Sequence, residues 1–497
     1  YGLNGIPKSM VEQIEIIKGP ASTQYGSEAM GGVINVVTKN PEGMPLLMAA
    51  HSASTHGEFN TDLGISGKTG ERFNWLLSAN HFQNTVRLDN NGDYFTDIPL
   101  SQRLSLFTKG NYSLRNGKDI KLSFRYYEES RFGGELNWNP EFSGSDSIYG
   151  EHIKTRRLEA LGTIPLGSQW KVDWSLNRHK QESYYGNVSF NALQHVGFVN
   201  VIRGFQYKGH QILTGVSQKL NDYSDNTTVD YSGLEYTPGV FVQDLFTGWE
   251  KWDILSGLRA DYHEAHGVVI SPRLSIKRQL PHDLAIRLNT GTGFRVVNLF
   301  TEDHAALSGS RNIVVEEELE PERSFHTSLN LHGIFAFPSS YSTFDADGFY
   351  TRFSNKIIPD YDVDPNTIVY RNLEGHGTGY GLSAEYAQYL NNGLQFAVGA
   401  TWMKNSVIEL LENGDSMIEE QLFSPELSSK IRAGYSHKKW GLSIDYSALV
   451  IGPMKLPQYA PPNERNPYSP WYSLHHVQLT KELKDWKISL AVKNIFN

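Results

Sequence analysis

The sequence predicts an all-β protein whose bulk is one large antiparallel β-barrel that spans a membrane. Three observations carry this. From about Met44 onward apolar and polar residues alternate with a period of two, with no helical segment of useful length between the runs. The polar face of that alternation carries Lys, Arg, Asp and Glu, which suits a wet lumen, while the apolar face suits lipid. Tight turns alternate with long polar loops, as in a barrel with short turns on one rim and long loops on the other.

The first element is the stretch Val11 to Lys39, VEQIEIIKGPASTQYGSEAMGGVINVVTK. It reads as strand, turn, short helix, glycine hinge, strand. Ile14, Ile16 and Ile17 form a β-branched run. Gly19-Pro20 stops it, with Pro20 placed to open a helical turn. Gly26 can close that turn, and Gly31-Gly32 lets two backbones approach. Val33 to Thr38 then has the composition of a strand buried on both faces.

The alternating strands follow. Phe73, Trp75, Leu77 and Ala79 oppose Asn74, Leu76, Ser78 and Asn80. Ile120, Leu122, Phe124 and Tyr126 oppose Lys121, Ser123 and Arg125, and Trp170, Val172, Trp174 and Leu176 oppose Lys171, Asp173, Ser175 and Asn177. Leu394 to Trp402, Leu442 to Ala448 and Ile488 to Val492 repeat the pattern. A soluble sandwich would alternate too, but a sheet this long with a charged face needs closure, and only a closed barrel satisfies every backbone group in lipid. Arg115-Asn116-Gly117-Lys118 and Asn391-Asn392-Gly393 carry the Asn-Gly hairpin signal, and Lys68 to Glu71 and Leu280 to Asp283 also read as tight turns. Asn84 to Pro99, Glu128 to Ile153, Gln181 to Gly209, Leu299 to Glu322 and Leu411 to Pro425 read as long polar loops.

Composition excludes several classes. The chain has 497 residues, a formal net charge of −9 and no cysteine. Disulfides, thiolate metal sites and cysteine nucleophiles are therefore absent. No apolar run of about 18 residues marks a transmembrane helix. The mild acidity argues against nucleic acid as a partner. The 26 Tyr, 24 Phe and 10 Trp suit the interfacial girdles of a barrel. Gly291-Thr292-Gly293 precedes no helix and is set aside as a nucleotide signal. No nucleophile-elbow motif and no convergent polar site of an enzyme are legible, and neither a catalytic set nor a cofactor is assigned.

The Val11 to Lys39 string resembles the last part of the plug domain of TonB-dependent outer-membrane receptors, with Lys18 where the family usually has arginine. The resemblance continues along the chain. Gly239-Val240-Phe241-Val242-Gln243-Asp244 is similar to the family's GxFxQD strand, and Gly257-Leu258-Arg259-Ala260-Asp261 to its GxRxD strand. Ser271-Pro272-Arg273, Gly293-Phe294-Arg295 and Val492-Lys493-Asn494-Ile495-Phe496-Asn497 continue the series. The resemblance implies a barrel of the 22-strand type around an N-terminal plug. Residues 1–44 would be the C-terminal part of the plug and 45–497 a barrel lacking its last strand, with about 21 strands present. Tyr1-Gly2-Leu3-Asn4 reads as beginning in mid-sequence, so the TonB box is expected to be missing.

The resemblance further implies active import of a scarce nutrient across the Gram-negative outer membrane by a monomer. Its partners would be TonB with its inner-membrane energising complex, outer-membrane lipid and lipopolysaccharide, and a small-molecule cargo. A ferric siderophore or similar iron chelate is the expected cargo; cobalamin, haem or copper are alternatives. A passive pore or surface-binding protein is the reading from another class, but a pore needs no plug.

The resemblance places Gln24 and Tyr25 at the ligand chamber, and a tyrosine suits a chelate with apolar and polar surface; packing between plug and barrel is the competing reading. Glu12, Glu15 and Lys18 are expected to hold the plug against the barrel wall. His304 lies in a long loop between Phe294-Arg295 and Leu319, where haem-binding members place a histidine, although both flanking motifs are degraded. Trp471, Tyr472 and His475 form an aromatic loop with a histidine, as ligand contacts or as interface anchors. His263 and His266 have spacing that permits a metal, but no cage is legible and no metal site is assigned.

Overall fold

The structure is a computed structural model that describes residues 5–19, 23–24, 26, 28–145, 147–227, 233–297, 312–315, 317–364, 367–411, 413–456 and 466–496. Its strands close into one antiparallel barrel that runs in chain order from Leu47–Ala53 to Lys487–Lys493. Of the 22 segments in the ring, Ser416–Glu420 and Leu427–His437 both pair with the same edge of Leu394–Leu410. They share one place, so the ring has 21 places. The strands that meet at the seam are its most exposed: every residue of Lys487–Lys493 is exposed, and all but Met48 of Leu47–Ala53.

The two faces are reversed relative to a water-soluble sheet. In Phe73–Asn84 the polar Asn74, Ser78, Asn80 and Asn84 are buried, whereas Phe73 and Leu77 face outward and are exposed. Leu176, Ile270 and Leu382 stand 58%, 60% and 62% exposed on the outside of the wall. Burying large apolar side chains drives folding in water. A wall that turns them out over its whole circumference is built for a hydrocarbon solvent, with successive strands paired along the chain from Leu47–Ala53 to Lys487–Lys493.

The rims differ as expected. On one, connections are as short as Lys208-Gly209, Pro338-Ser339 and Asn391-Asn392-Gly393. On the other lie long connections, including 85–99, 135–149, 296–321, 356–374 and 452–471. Besides Leu299 to Glu322, which contains the strand Asn312–Val315, three loop expectations need correction. Gln181 to Gly209 is no loop: Trp170–Tyr185 and Val188–Tyr207 are long strands joined by a tight turn at Gly186-Asn187, with Gly186 at φ +57°. Gln181, Ser183 and Gln194 are polar because they face the bore, and a strand with one wet face reads as a loop. Glu128 to Ile153 shrinks to 135–149, because the flanking strands continue to Gly134 and resume at Gly150. Leu411 to Pro425 contains the strand Ser416–Glu420.

The N-terminal segment lies in the bore. Val11–Lys18 and Gly32–Thr38 form an antiparallel pair, as the strand–hinge–strand reading expected. The short helix expected between them falls partly on residues outside those described. Gly32–Thr38 is not buried on both faces: Ile34 is 56% exposed, and Ile14 and Ile16 of its partner are exposed too. A two-stranded ribbon has no second layer to cover it. What is buried here is its edge against the wall, where Met10 packs with Leu76 and Phe107.

A second small sheet spans the long-loop rim. Asn312–Val315 runs parallel to Thr367–Asn372, which runs antiparallel to Ile357–Asp364. None of these strands was legible as such, because they sit inside long connections. Their apolar residues Ile357, Ile368 and Tyr370 bury against Tyr185, Phe190, Ala192 and Tyr223 on a different sector of the wall.

Candidate functional site: the occupied bore and its covered mouth

The bore is lined by the polar positions of the strands, and these hold the N-terminal segment at several points on different sectors. On one sector Lys109 Nζ donates to the carbonyl of Thr38 at 3.2 Å, to Thr38 Oγ1 at 3.0 Å and to the Lys39 carbonyl at 3.2 Å. Asn111 donates to Asn40 at 2.8 Å, and the Ser105 hydroxyl to the Gly5 carbonyl. These three side chains come from alternate positions of Leu100–Ser113, so all point inward.

Elsewhere on the ring, Arg259 and Asp261 hold the turn. Arg259 Nε donates to both Asp261 carboxylate oxygens at 2.9 and 2.8 Å, and Nη2 to Asp261 Oδ1 at 2.6 Å. Arg259 Nη2 also reaches Ser217 Oγ at 2.8 Å, and Nη1 donates to the Thr23 carbonyl at 3.2 Å. Both charged side chains are almost fully buried, at 5% and 3% exposure. A buried pair holds only when its remaining donors are satisfied, and here one of those donors is committed to the plug backbone. Gly257 makes the approach possible: a Cβ there would stand 2.2 Å from Thr23 Oγ1. Asn200 Nδ2 donates to the Gln24 carbonyl at 3.4 Å, and Lys219 pairs with Glu28 at 2.9 Å. Further round, His326 lies against Gly19 and bonds Thr351 Oγ1 through Nδ1 at 2.8 Å.

The sector of Leu100–Ser113 and the two strands that follow it is also rich in arginine. Glu129 accepts from Tyr127 at 2.8 Å and from Arg131 at 3.0 Å, with Arg103 at 3.7 Å. Glu159 takes both Arg125 and Arg157 at 2.5 Å. Four guanidinium groups thus face the bore with two carboxylates between them.

The mouth is covered by the three-stranded sheet. Asn372 ties it to the neighbouring connection through the Glu317 carboxylate at 2.7 Å and the Glu318 carbonyl at 2.9 Å, and Arg371 pairs with Glu409. Lys356 at its base donates to Gln421 at 2.7 Å, and burial holds its ammonium below the usual lysine range. Against Tyr185, Phe190 and Tyr223 the contact is apolar. Beside it, at the turn after Trp252–His263, the imidazoles of His263 and His266 stack with centroids 4.8 Å apart. Burial first, and then the neighbouring His263, lower the pKa of His266.

The residues named from sequence are dispersed. Gln24 lies on the wall at the Arg259 sector, held through its carbonyl. Tyr25 and His304 lie outside the described residues. Trp471 and Tyr472 are exposed at the long-loop rim, and Tyr472 shares the bore-facing parity of His476. His475 pairs in register with Ala448, on the face of Leu479 and Ile444, and so stands on the outer wall; there it bonds Tyr446 Oη at 2.7 Å and Ser473 Oγ at 2.9 Å. The interface-anchor alternative describes that position. Glu12 is exposed and within electrostatic range of Lys109. Glu15 accepts from Asn35 at 2.8 Å and Gln13 at 2.6 Å, both inside the ribbon. Lys18 pairs by backbone with Gly32; its side chain is outside the description. Lys109, Asn111 and Asn200 were missed, since a polar lumen position looks like any other. Arg259 and Asp261 were visible as a motif, but not as the plug's anchor. Among the described residues no group of three His, Asp or Glu could hold a metal ion.

Comparison with known proteins follows this geometry. A family model described as TonB dependent receptor-like, beta-barrel matches residues 52–495, and one described as TonB-dependent Receptor Plug Domain matches residues 1–33. An iron-regulated outer membrane virulence protein of Vibrio cholerae is 24% identical over 356 residues, 65% of this chain and 51% of that protein. The vitamin B12 transporter BtuB of the same species is 23% identical over 399 residues, 77% of this chain and 61% of its own length. The chain thus spans about half the length of the first of these relatives. The FrpB iron transporter from Neisseria meningitidis (F5-1 variant) has the same fold, with a TM-score of 0.77, 14% identity, and coverage of 99% of this chain and 85% of that one.

Proposed function

We propose that this chain, which belongs to the TonB-dependent receptor family, takes up a scarce nutrient through the Gram-negative outer membrane by displacing the segment that fills its bore. The single observation that supports this best is the occupied lumen. A passive pore is open, whereas here a ribbon is fixed to different sectors of the wall through Lys109 and Arg259. Among the described residues its contacts there are hydrogen bonds and the Lys219–Glu28 ion pair, with a single apolar patch where Met10 meets Leu76 and Phe107. Such contacts can be remade after the segment is pulled aside by TonB and its energising complex.

A ferric siderophore or similar iron chelate is the cargo we favour. The arginines grouped around Glu129 and Glu159 suit an anionic chelate, because guanidinium groups recognise carboxylate and phenolate oxygens through fixed donor forks. Cobalamin is the second reading, favoured by the similarity to a vitamin B12 transporter over 77% of the chain. Gln24, Tyr25, His304, Trp471 and Tyr472 are the proposed cargo contacts. No bond of the cargo needs to break, so the reading requires no catalytic set.

A deletion strain grown on defined iron, haem and cobalamin sources tests the function. Lost growth on one ferric chelate, restored by the full-length receptor, supports the reading. Normal growth on every source would overturn it.

A further inference from the structure

The short-turn rim carries a feature that cargo uptake does not use. Between strands Trp170–Tyr185 and Gly267–Leu280 its outward face combines aromatic rings with cations. Arg203 pairs in register with Trp170, and Arg278 with Trp252. Each guanidinium lies over the indole of its pair, 5.5 Å from the Trp170 centroid and 5.0 Å from the Trp252 centroid. Trp170 shares the outward face of Leu176, and Trp252 that of Leu258, so both arginines stand on the lipid side of the wall at its edge. Lys208 lies over Tyr207 at 5.2 Å in the turn between them, and Lys251 occupies the next turn but one.

The charges here are not balanced locally. Arg203 donates only to the neutral amide oxygen of Gln169, at 3.2 and 3.4 Å. Among the described residues none of Arg203, Lys208, Lys251 and Arg278 has a carboxylate within ion-pair distance. Asp244 bonds His210 at 2.6 Å and Asp253 pairs with Lys277 at 3.1 Å, while Glu250 and Asp283 stand in the turns of this rim, outside ion-pair distance of all four. A chain of net charge −9 therefore presents four exposed cations in one sector of one rim. The rings hold the guanidinium groups at the edge of the wall; Gln169 takes the Nε and Nη2 side of Arg203, which leaves Nη1 directed to other partners. That is a platform for an anion held at the depth where indole rings settle in a bilayer.

We propose that this sector binds the phosphodiester head-groups of anionic glycerophospholipids in the leaflet at the short-turn rim. One phosphate sits against the N–H groups of Arg203, with Lys208 supplying charge from the water side, and a second against Arg278 with Lys251, because three strands stand between the two arginines. Trp170 and Trp252 pack on the upper acyl and glycerol region. The proposal rests on the membrane-spanning reading above.

The test uses the full-length receptor in detergent, with native mass spectrometry of bound lipid and phosphatidylglycerol, phosphatidylcholine and inorganic phosphate as probes. The wild type is expected to retain phosphatidylglycerol at least several-fold over phosphatidylcholine, and R203Q/R278Q to lose most of that preference. Strand content by circular dichroism should be unchanged, and R203K/R278K should recover part of the preference. Equal retention of the two lipids, or equal retention by wild type and R203Q/R278Q, overturns the proposal. Displacement of phosphatidylglycerol by millimolar inorganic phosphate overturns its lipid identity. A receptor that stays monodisperse without detergent contradicts the membrane reading itself. One that needs detergent but shows no head-group preference sinks only this inference.

Discussion

At the scale of single residues, the anchor that fixes the plug is Arg259. It is buried, bidentate to Asp261, and bound to the Thr23 carbonyl. Arg259→Ala strips Asp261 of that guanidinium and frees the turn, and breaking a buried pair costs about 3–5 kcal/mol. Hydrogen exchange at Thr23 and Gln24 should rise by orders of magnitude while exchange in Leu100–Ser113 stays slow. Unchanged protection would mean the turn is held elsewhere. Gly257→Ala tests the same contact sterically, since its Cβ would meet Thr23 Oγ1; it should loosen Thr23 without touching either charge. His266 makes a pH prediction. Its pKa is lowered from the ordinary 6.5, first by burial and then by His263, with Arg323 adding to the decrease and Glu318 and Glu320 opposing it. A folded pKa below the unfolded one gives stability that is full above about pH 6.5 and is lost as pH falls through the lowered value. NMR titration of the imidazole should therefore give a value under 6.5, rising toward it in His263→Ala. A wild-type value at or above 6.5 would contradict the stacked geometry. Residues of this kind are poorly legible in sequence. Arg259 and Asp261 stood out as a motif, but their partner lies 236 positions away, and no local pattern encodes that pairing.

Among the elements, the three-stranded sheet over the mouth has two unlike edges. Hydrogen bonds and ion pairs through Asn372 and Arg371 join it to one side, and Ile357, Ile368 and Tyr370 press it against the other. Apolar contact is non-directional and re-forms easily, so the sheet is expected to open at the apolar edge. Ile368→Ala should cost about 2–5 kcal/mol of that closure. It would show as faster hydrogen exchange across Ile357–Asp364 and Thr367–Asn372, with the barrel strands unaffected; equal exchange in the variant would mean the apolar seam does not hold the mouth shut. This sheet was illegible because its strands are short and one pairing is parallel, between segments more than fifty residues apart. The hairpins were legible where turn chemistry was explicit, as at Asn391-Asn392-Gly393. Trp170–Tyr185 and Val188–Tyr207 were misread for the opposite reason. Their bore-facing glutamines and serines have loop composition, although the strands are among the longest in the molecule.

For the whole molecule, one physical choice organises everything: large apolar side chains face out, and polar ones face a bore that holds the N-terminal ribbon. The fold class was legible because that choice imposes a period of two over the whole barrel. The N-terminal plug segment was legible because Gly19, Gly31 and Gly32 punctuate two β-branched runs. The exposure of Ile14, Ile16 and Ile34 was not, since composition says that a strand is apolar but not what covers it. The most direct measurement is spin-label accessibility in lipid bilayers. Nitroxides would be placed at Leu77, Leu176 and Leu382 on the outer wall and at Asn74, Asn200 and Ser217 on the inner one. The first three should collide with oxygen and be shielded from a water-soluble nickel chelate, while the second three are shielded from oxygen. Nickel accessibility at Leu77, Leu176 and Leu382 equal to that of a free loop would show a wall bathed in water, and the account would fail.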